Sequence, residues 1–175
     1  KPAGVESDFA VMSLDERSIA TAGQGGLLLS SNVRVTKAAR DAADETEHLL
    51  PDILSGLALR QVEAIERNAS VRSEIEKVYN AAFSAIPGFV PDAPIEEGYA
   101  TTHFSYLITP KVPPSEAIEF LGKYGIEAER PFAPPAASGA PRAEKLYREA
   151  ILLPIYPTLI RREVDLIVKY VSKLS

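Results

Sequence analysis

Apolar residues along the chain fall into short unbroken runs and longer stretches with helical spacing. Phe9-Ala10-Val11-Met12 and Leu27-Leu28-Leu29 are of the first kind, separated by the glycine-dense segment Ala22-Gly23-Gln24-Gly25-Gly26 and closed by Ser30-Ser31-Asn32. Runs this short and this apolar predict two buried strands inside a sheet covered on both faces. A two-stranded sheet is marginal by itself, so further strands are expected later in the chain or outside it. Residues 33–47 are polar and helix-prone. Pro51 then opens the strongest helical pattern, with Asp52 suited to the positive end of a helix. Ile53, Leu54, Leu57, Val62, Ile65, Val71, Ile75, Val78 and Phe83 follow in steps of about three and four, which fits 3.6 residues per turn. A bend is expected at Arg67–Ser70, and Pro87-Gly88 ends the pattern.

The second half alternates helical and extended patterns. Residues 101–109 predict a strand, and Pro113-Pro114-Ser115-Glu116 starts a helix with Ala117, Phe120 and Leu121 on its core face. Ile126–Glu129 predicts another strand. Residues 131–141 hold four prolines and a glycine and read as an exposed loop. A helix near 142–149, a rigid extended stretch at Leu152–Pro157 and a last helix over 161–174 follow, the last with Val164, Ile167, Val168, Val171 and Leu174 on one face. The alternation predicts a small α/β layer.

Composition narrows the chemistry. The chain has 175 residues, 46% hydrophobic and 25% charged, enough for one domain of ordinary size and too apolar for disorder. No apolar run approaches the roughly 20 residues of a membrane span. A net charge of −5, with no basic cluster beyond Arg161-Arg162, argues against nucleic acid as a partner. The absence of cysteine excludes disulfides, thiolate catalysis and cysteine-based metal sites. Two histidines, His48 and His103, leave little for a metal centre: His48 reads as a surface residue at a helix start and His103 as a structural residue on a strand. The chain starts at Lys1, without a targeting pattern, and reads as processed or as a piece of something longer.

The sharpest candidate for chemistry is the stretch Ser13–Gly26. Glycines after a strand let backbone N–H groups approach a phosphate, and the hydroxyls of Ser13, Ser18 and Thr21 add donors. A tight turn between two strands is the commoner meaning of the same pattern. Asp15-Glu16-Arg17 reads as a solvated turn, and Tyr156, between prolines, as a packing anchor with a hydrogen-bonding tip.

Ser13-Leu14-Asp15-Glu16-Arg17-Ser18-Ile19-Ala20-Thr21-Ala22-Gly23-Gln24-Gly25-Gly26 resembles the motif of the DegT/DnrJ/StrS sugar aminotransferases, roughly Ser-Phe-x-x-x-Lys-x-x-Thr-x-Gly-Glu-Gly-Gly. Ile53–Val62 is similar to the family's stretch of small residues closing in Gln-Leu, and Arg72–Tyr79 to its Arg-x-x-Ile-x-x-x-Tyr. Leu153-Pro154-Ile155-Tyr156-Pro157 resembles its Leu-Pro-x-Tyr-Pro. The likeness covers essentially the whole chain, as the C-terminal half of such an enzyme. It implies the aspartate aminotransferase fold: residues 1–50 as a remnant of the large cofactor-binding domain and 51–175 as the small C-terminal α/β domain. It also implies pyridoxal phosphate as the family's cofactor, a keto-sugar nucleotide as substrate, a homodimer or partner chain, and a cytoplasmic setting.

The departures from that motif bear on activity. The family's Schiff-base lysine falls at Ser18, whose hydroxyl cannot form an imine with a carbonyl. Lys37 has no motif around it. The family's Asn-aromatic-Arg falls at Glu47-His48-Leu49, where an acid repels a phosphate, and the acid that pairs with the pyridinium nitrogen lies upstream of Lys1 in family members. Ser13, Ser18 and Gly23 are the positions left to contact a cofactor, with no catalytic residue among them. Two expectations follow: a degenerate member acting as a pseudoenzyme or binding module, or a functional piece of an aminotransferase or dehydratase completed by a missing or partner segment.

Overall fold

The computed structural model describes residues 7–86, 105–132 and 139–174. The chain forms two compact units, Lys1–Glu66 and Arg67–Ser175. The expected division at residue 50 concerned descent from a cofactor domain. By compactness, the helix after Pro51 falls within the first unit.

In the first unit β1 (Ala10–Ser13) pairs antiparallel with β2 (Gly26–Leu29), with Met12 opposite Leu27 and Ser13 opposite Gly26. These strands are not covered on both faces within the described chain. Burial alternates along β1: the period of two turns Val11 and its partner Leu28 outward, 70% and 39% exposed, and Met12 with Leu27 inward, while Leu29, on the inward face beside Ala10, is still 54% exposed. Leu14, Ala20, Ala22 and Ala58 form a small core, flanked by Leu50, Leu54 and Ile65. α1 (Val33–Glu45) begins where the Asn32 side chain accepts the Arg34 N–H at 3.0 Å. It ends with the Glu47 N–H on the Asp44 carbonyl and the His48 N–H on the Ala43 carbonyl, a Schellman closure that puts Glu47 at φ 57°.

The long helix expected from Pro51 onward is two helices, α2 (Asp52–Glu63) and α3 (Ile65–Phe83), and the break falls at Ala64 rather than at Arg67–Ser70. The Ala64 N–H turns back to the Gln61 carbonyl, which ends α2. The apolar positions serve two cores, and the change comes within α3: Leu54, Ala58 and Ile65 belong to the first cluster, while Ile75, Tyr79 and Phe83 belong to the second.

The second unit is built around β3 (Ser105–Ile108) and β4 (Ile151–Pro154), antiparallel, with Tyr106 opposite Leu153 and Ile108 opposite Ile151. Residues 101–104 of the expected strand, His103 among them, and 133–138 of the expected loop lie outside the described residues. The strand expected at Ile126–Glu129 is reduced to a single bridge. Glu129 exchanges two backbone hydrogen bonds with Leu152, at 3.1 and 2.8 Å, while Ile126 and Ala128 are buried. The stretch expected to be extended over Leu152–Pro157 forms β4 over its first part. α4 (Pro114–Gly122), α5 (Pro141–Glu149) and α6 (Arg161–Val171) complete the unit, α6 tightening into a 3-10 turn at Ser172–Leu174.

At the centre of this core Tyr79 stacks on Phe83 at 5.6 Å and meets Tyr106 edge-on at 5.2 Å. The Tyr79 hydroxyl donates to the Pro154 carbonyl at 2.9 Å, and the Tyr106 hydroxyl to Asn80 Oδ1 at 2.6 Å. Burial holds the Tyr79 hydroxyl far above the ordinary tyrosine range. It also pushes Tyr106 up to about 12, with the charge of Glu76 adding to the effect.

Candidate functional site

The Ser13–Gly26 turn leaves the end of β1 and returns at β2, and its own backbone closes it. The Leu14 N–H donates to the Gly25 carbonyl at 2.9 Å, and the Ala22 N–H to the Leu14 carbonyl at 2.9 Å. Buried Leu14, Ala20 and Ala22 anchor it. Gly25 sits at φ +94°, a conformation that favours glycine, and a Cβ there would also lie 2.7 Å from Leu50 Cδ1, the movable tip of that side chain.

Two of the three sequence-predicted contacts, Ser13 and Ser18, converge on Asp15, a residue that the sequence weighs as part of a charge network or, more commonly, of a solvated turn. The Asp15 carboxylate accepts the Ser13 hydroxyl on Oδ2 at 2.9 Å and the Ser18 hydroxyl on Oδ1 at 2.9 Å. Oδ1 also accepts the Arg17 N–H at 3.0 Å, and the Asp15 N–H returns a bond to Ser13 Oγ at 3.2 Å. These donors hold the Asp15 carboxyl below its ordinary value, the Ser13 hydroxyl contributing most, then Ser18, then the Arg17 amide. The solvated turn expected at Asp15-Glu16-Arg17 is exposed, yet it is organised around this one carboxylate. The local signal was the spacing Ser-x-Asp-x-x-Ser, which puts hydroxyls two residues before and three after an acid in a turn.

Gly23 lies at φ +84°, and its N–H donates to Thr21 Oγ1 at 3.0 Å. No lysine lies between Ser13 and Gly26. Lys37 is on the exposed face of α1, paired with Asp41 at 2.7 Å. His48 is exposed, and with Arg40, Thr36 and Leu50 it borders a cavity of about 730 Å³ in the first unit.

The second unit has a cavity of about 460 Å³ bordered by Tyr156, Glu127, Glu163 and Ile167. Tyr156 is half-buried there; burial first, then the charges of Glu163 and Glu127, raise its hydroxyl above the ordinary range, so it remains a donor at neutral pH. Glu163 also accepts the Ile160 N–H at 2.9 Å, which caps α6. Within the core, the hydroxyls of Tyr79 and Tyr106 tie elements together. Among the described residues no three His, Cys, Asp or Glu side chains are placed to hold a metal ion, and no helix is long and apolar enough to cross a membrane.

Comparison with known proteins places this arrangement. No curated protein sequence matches the chain. Among solved structures, the aminotransferase TlmJ from Streptoalloteichus hindustanus superposes with a TM-score of 0.82 at 20% identity, over 98% of this chain and 53% of that one. DesV from S. venezuelae gives 0.81 at 18% identity, over 99% and 53%. Spr1654 from Streptococcus pneumoniae in its pyridoxal-phosphate form gives 0.78 at 18% identity, over 99% and 53%. At these identities the likeness establishes the fold, and the chain spans about half the length of each of these structures. The profile of the DegT/DnrJ/EryC1/StrS aminotransferase family matches residues 1–172, nearly the whole chain. With the glycine-closed turn, the two small α/β units and this match in hand, the chain belongs to the DegT/DnrJ/EryC1/StrS aminotransferase family.

Proposed function

We propose that this chain is a family member without lysine chemistry, acting as a pseudoenzyme or binding module that forms no Schiff base. The observation that carries the reading is Ser18. It stands where the family motif has lysine, and its hydroxyl is committed to Asp15 at 2.9 Å. Pyridoxal phosphate is the cofactor that the family implies, and the residues present do not fit it. The turn has no primary amine, and the hydroxyl protons of Ser13 and Ser18 both lie on a carboxylate. Glu47 adds negative charge at the position of the family's neutral amide. In this reading residues 1–50 derive from the large cofactor-binding domain and 51–175 from the small domain. The remaining function is association with a second copy or partner chain, with a sugar nucleotide as the candidate ligand and the cytoplasm as the setting.

The test is direct. Purified protein mixed with pyridoxal phosphate stays free of the yellow band of a cofactor–lysine linkage, and borohydride fixes no adduct to a lysine. A stoichiometric adduct mapped to Lys37 or another lysine overturns the reading.

A second reading is favoured by one observation. Val11, Leu29 and Ile53 of the first unit are 70%, 54% and 82% exposed, apolar area that suits a covering segment or subunit. There the chain is a functional piece of an aminotransferase or dehydratase, completed from outside. The discriminating experiment is to express the longest product of the same gene and titrate it with pyridoxal phosphate. Tight binding with Ser18 unchanged favours completion over degeneracy.

A further inference from the structure

We infer that Asp15 is the specificity determinant of the Ser13–Gly26 turn: its carboxylate takes the two hydroxyl protons that a phosphate group would need, and so bars phosphate monoesters from it. A serine hydroxyl has a single proton to donate. That of Ser13 goes to Oδ2 of Asp15 and that of Ser18 to Oδ1, each at 2.9 Å, and the Arg17 N–H joins them at 3.0 Å. The carboxylate thus collects three donors, as an oxyanion bound in the same turn would. Thr21 and Gly23 are also occupied, the Thr21 hydroxyl donating to the Leu14 carbonyl at 3.3 Å while its oxygen accepts the Gly23 N–H.

An incoming phosphate meets two obstacles. It has to displace charge-assisted hydrogen bonds already made, and it has to approach a fixed negative charge with Glu16 next in the chain. The guanidinium of Arg17 is the cation nearest in sequence, and it follows two acids. The inference does not rest on the absence of Schiff-base chemistry, because binding an anion needs protons and field rather than an amine. It rests on the misfit between this turn and pyridoxal phosphate described above, not on the missing lysine, so the adduct test and the phosphate titration can fail independently.

The experiment uses the full chain, isotope-labelled, with amide shifts followed while inorganic phosphate, and separately pyridoxal phosphate, is added at constant ionic strength. The unchanged protein is expected to show no saturable shift between Ser13 and Gly26 with either probe. Asp15→Asn keeps the side-chain acceptor that shapes the turn but removes the charge. It is expected to gain saturable shifts confined to the turn, with affinity for inorganic phosphate at least about tenfold above that of the unchanged protein. Adding Ser13→Ala and Ser18→Ala to Asp15→Asn abolishes that gain, since the Ser13 proton freed from Oδ2 and the neighbouring Ser18 hydroxyl are then gone. A further measurement needs no Asp15 variant: the Asp15 carboxyl of the Ser13→Ala/Ser18→Ala protein, followed by carbon NMR, titrates higher than in the unchanged protein. Saturable phosphate binding at the turn of the unchanged protein, a folded Asp15→Asn protein that gains none, or an Asp15 titration indifferent to both serines would each overturn the inference. A response to pyridoxal phosphate alone would place the contact on the pyridine ring and would overturn it as well.

Discussion

Glu47 and Asp15 illustrate how single side chains here are set by backbone geometry. Glu47 occupies the left-handed region at φ 57°, at the position after the α1 cap where glycine or asparagine is usual. A non-glycine residue there carries a conformational cost of about 1 kcal/mol. Glu47→Gly is therefore expected to raise unfolding free energy by about 0.5–1 kcal/mol in urea titration, with β-branched Glu47→Val lowering it. Asp15 gives a pH dependence of definite sign. Its folded-state carboxyl lies below the unfolded value, so its contribution is present above the unfolded pKa and is lost as pH falls through the folded one. The Arg17 and Ser18 amide signals are expected to shift together below pH 3.8, and Asp15→Asn to abolish that step. Tyr106 acts at the other end. Burial pushes it up to about 12, so the unfolded chain ionises first above pH 10 and stability falls from there as pH rises. Tyr106→Phe is expected to flatten the alkaline limb of a stability–pH curve.

At the level of elements, the contrast between α2 and α3 separates apolar pattern from apolar burial. Both helices have apolar residues at steps of three and four. Yet Ile53 on α2 is 82% exposed, whereas Phe83 on α3 is fully buried against Tyr79 and Tyr106. Ile53→Ser is expected to change unfolding free energy by no more than about 0.5 kcal/mol, while Phe83→Ala costs about 3–5 kcal/mol through lost contacts and an unfilled cavity. Urea titrations of the two variants check the contrast, and comparable losses would mean that the face of α2 is covered in solution. The Tyr79 hydroxyl spans elements, from α3 to β4. Tyr79→Phe leaves the Pro154 carbonyl at the end of β4 without that donor, for an expected loss of about 1 kcal/mol.

On the scale of the whole molecule, the two units differ in how well each is buried. Among the described residues, the second encloses a continuous core from Ile75 to Leu174, whereas the first has four buried core residues and leaves Val11, Leu29 and Ile53 exposed. Among the described residues β1 and β2 form a two-stranded sheet, so each has an edge without a described partner, and unpaired edges seek partners. Self-association is the expected consequence: sedimentation at rising concentration should show species larger than a monomer. Val11→Lys with Leu29→Lys should shift the distribution toward the monomer without unfolding the second unit. A clean monomer at high concentration for the unchanged protein would contradict this.

Local patterns by themselves determined the glycine turn with its flanking strands, the helices from Val33 onward and the apolar face of α6, because these depend on spacing over a few residues. They also held the motif order that points to the family. Only the tertiary structure decided where one apolar stripe becomes two. Ile65 and Ile75 look alike in sequence, and their cores are distinguished by residues far from them in the chain. The same holds for Glu129, which pairs with Leu152 by a single bridge instead of a strand, and for Tyr79, whose partner Pro154 lies 75 residues away. At the candidate site the sequence supplied Ser13, Ser18 and Gly23, but not the residue on which both hydroxyls meet. Hydroxyl direction is set by the backbone turn, and that turn aims Ser13 and Ser18 at Asp15.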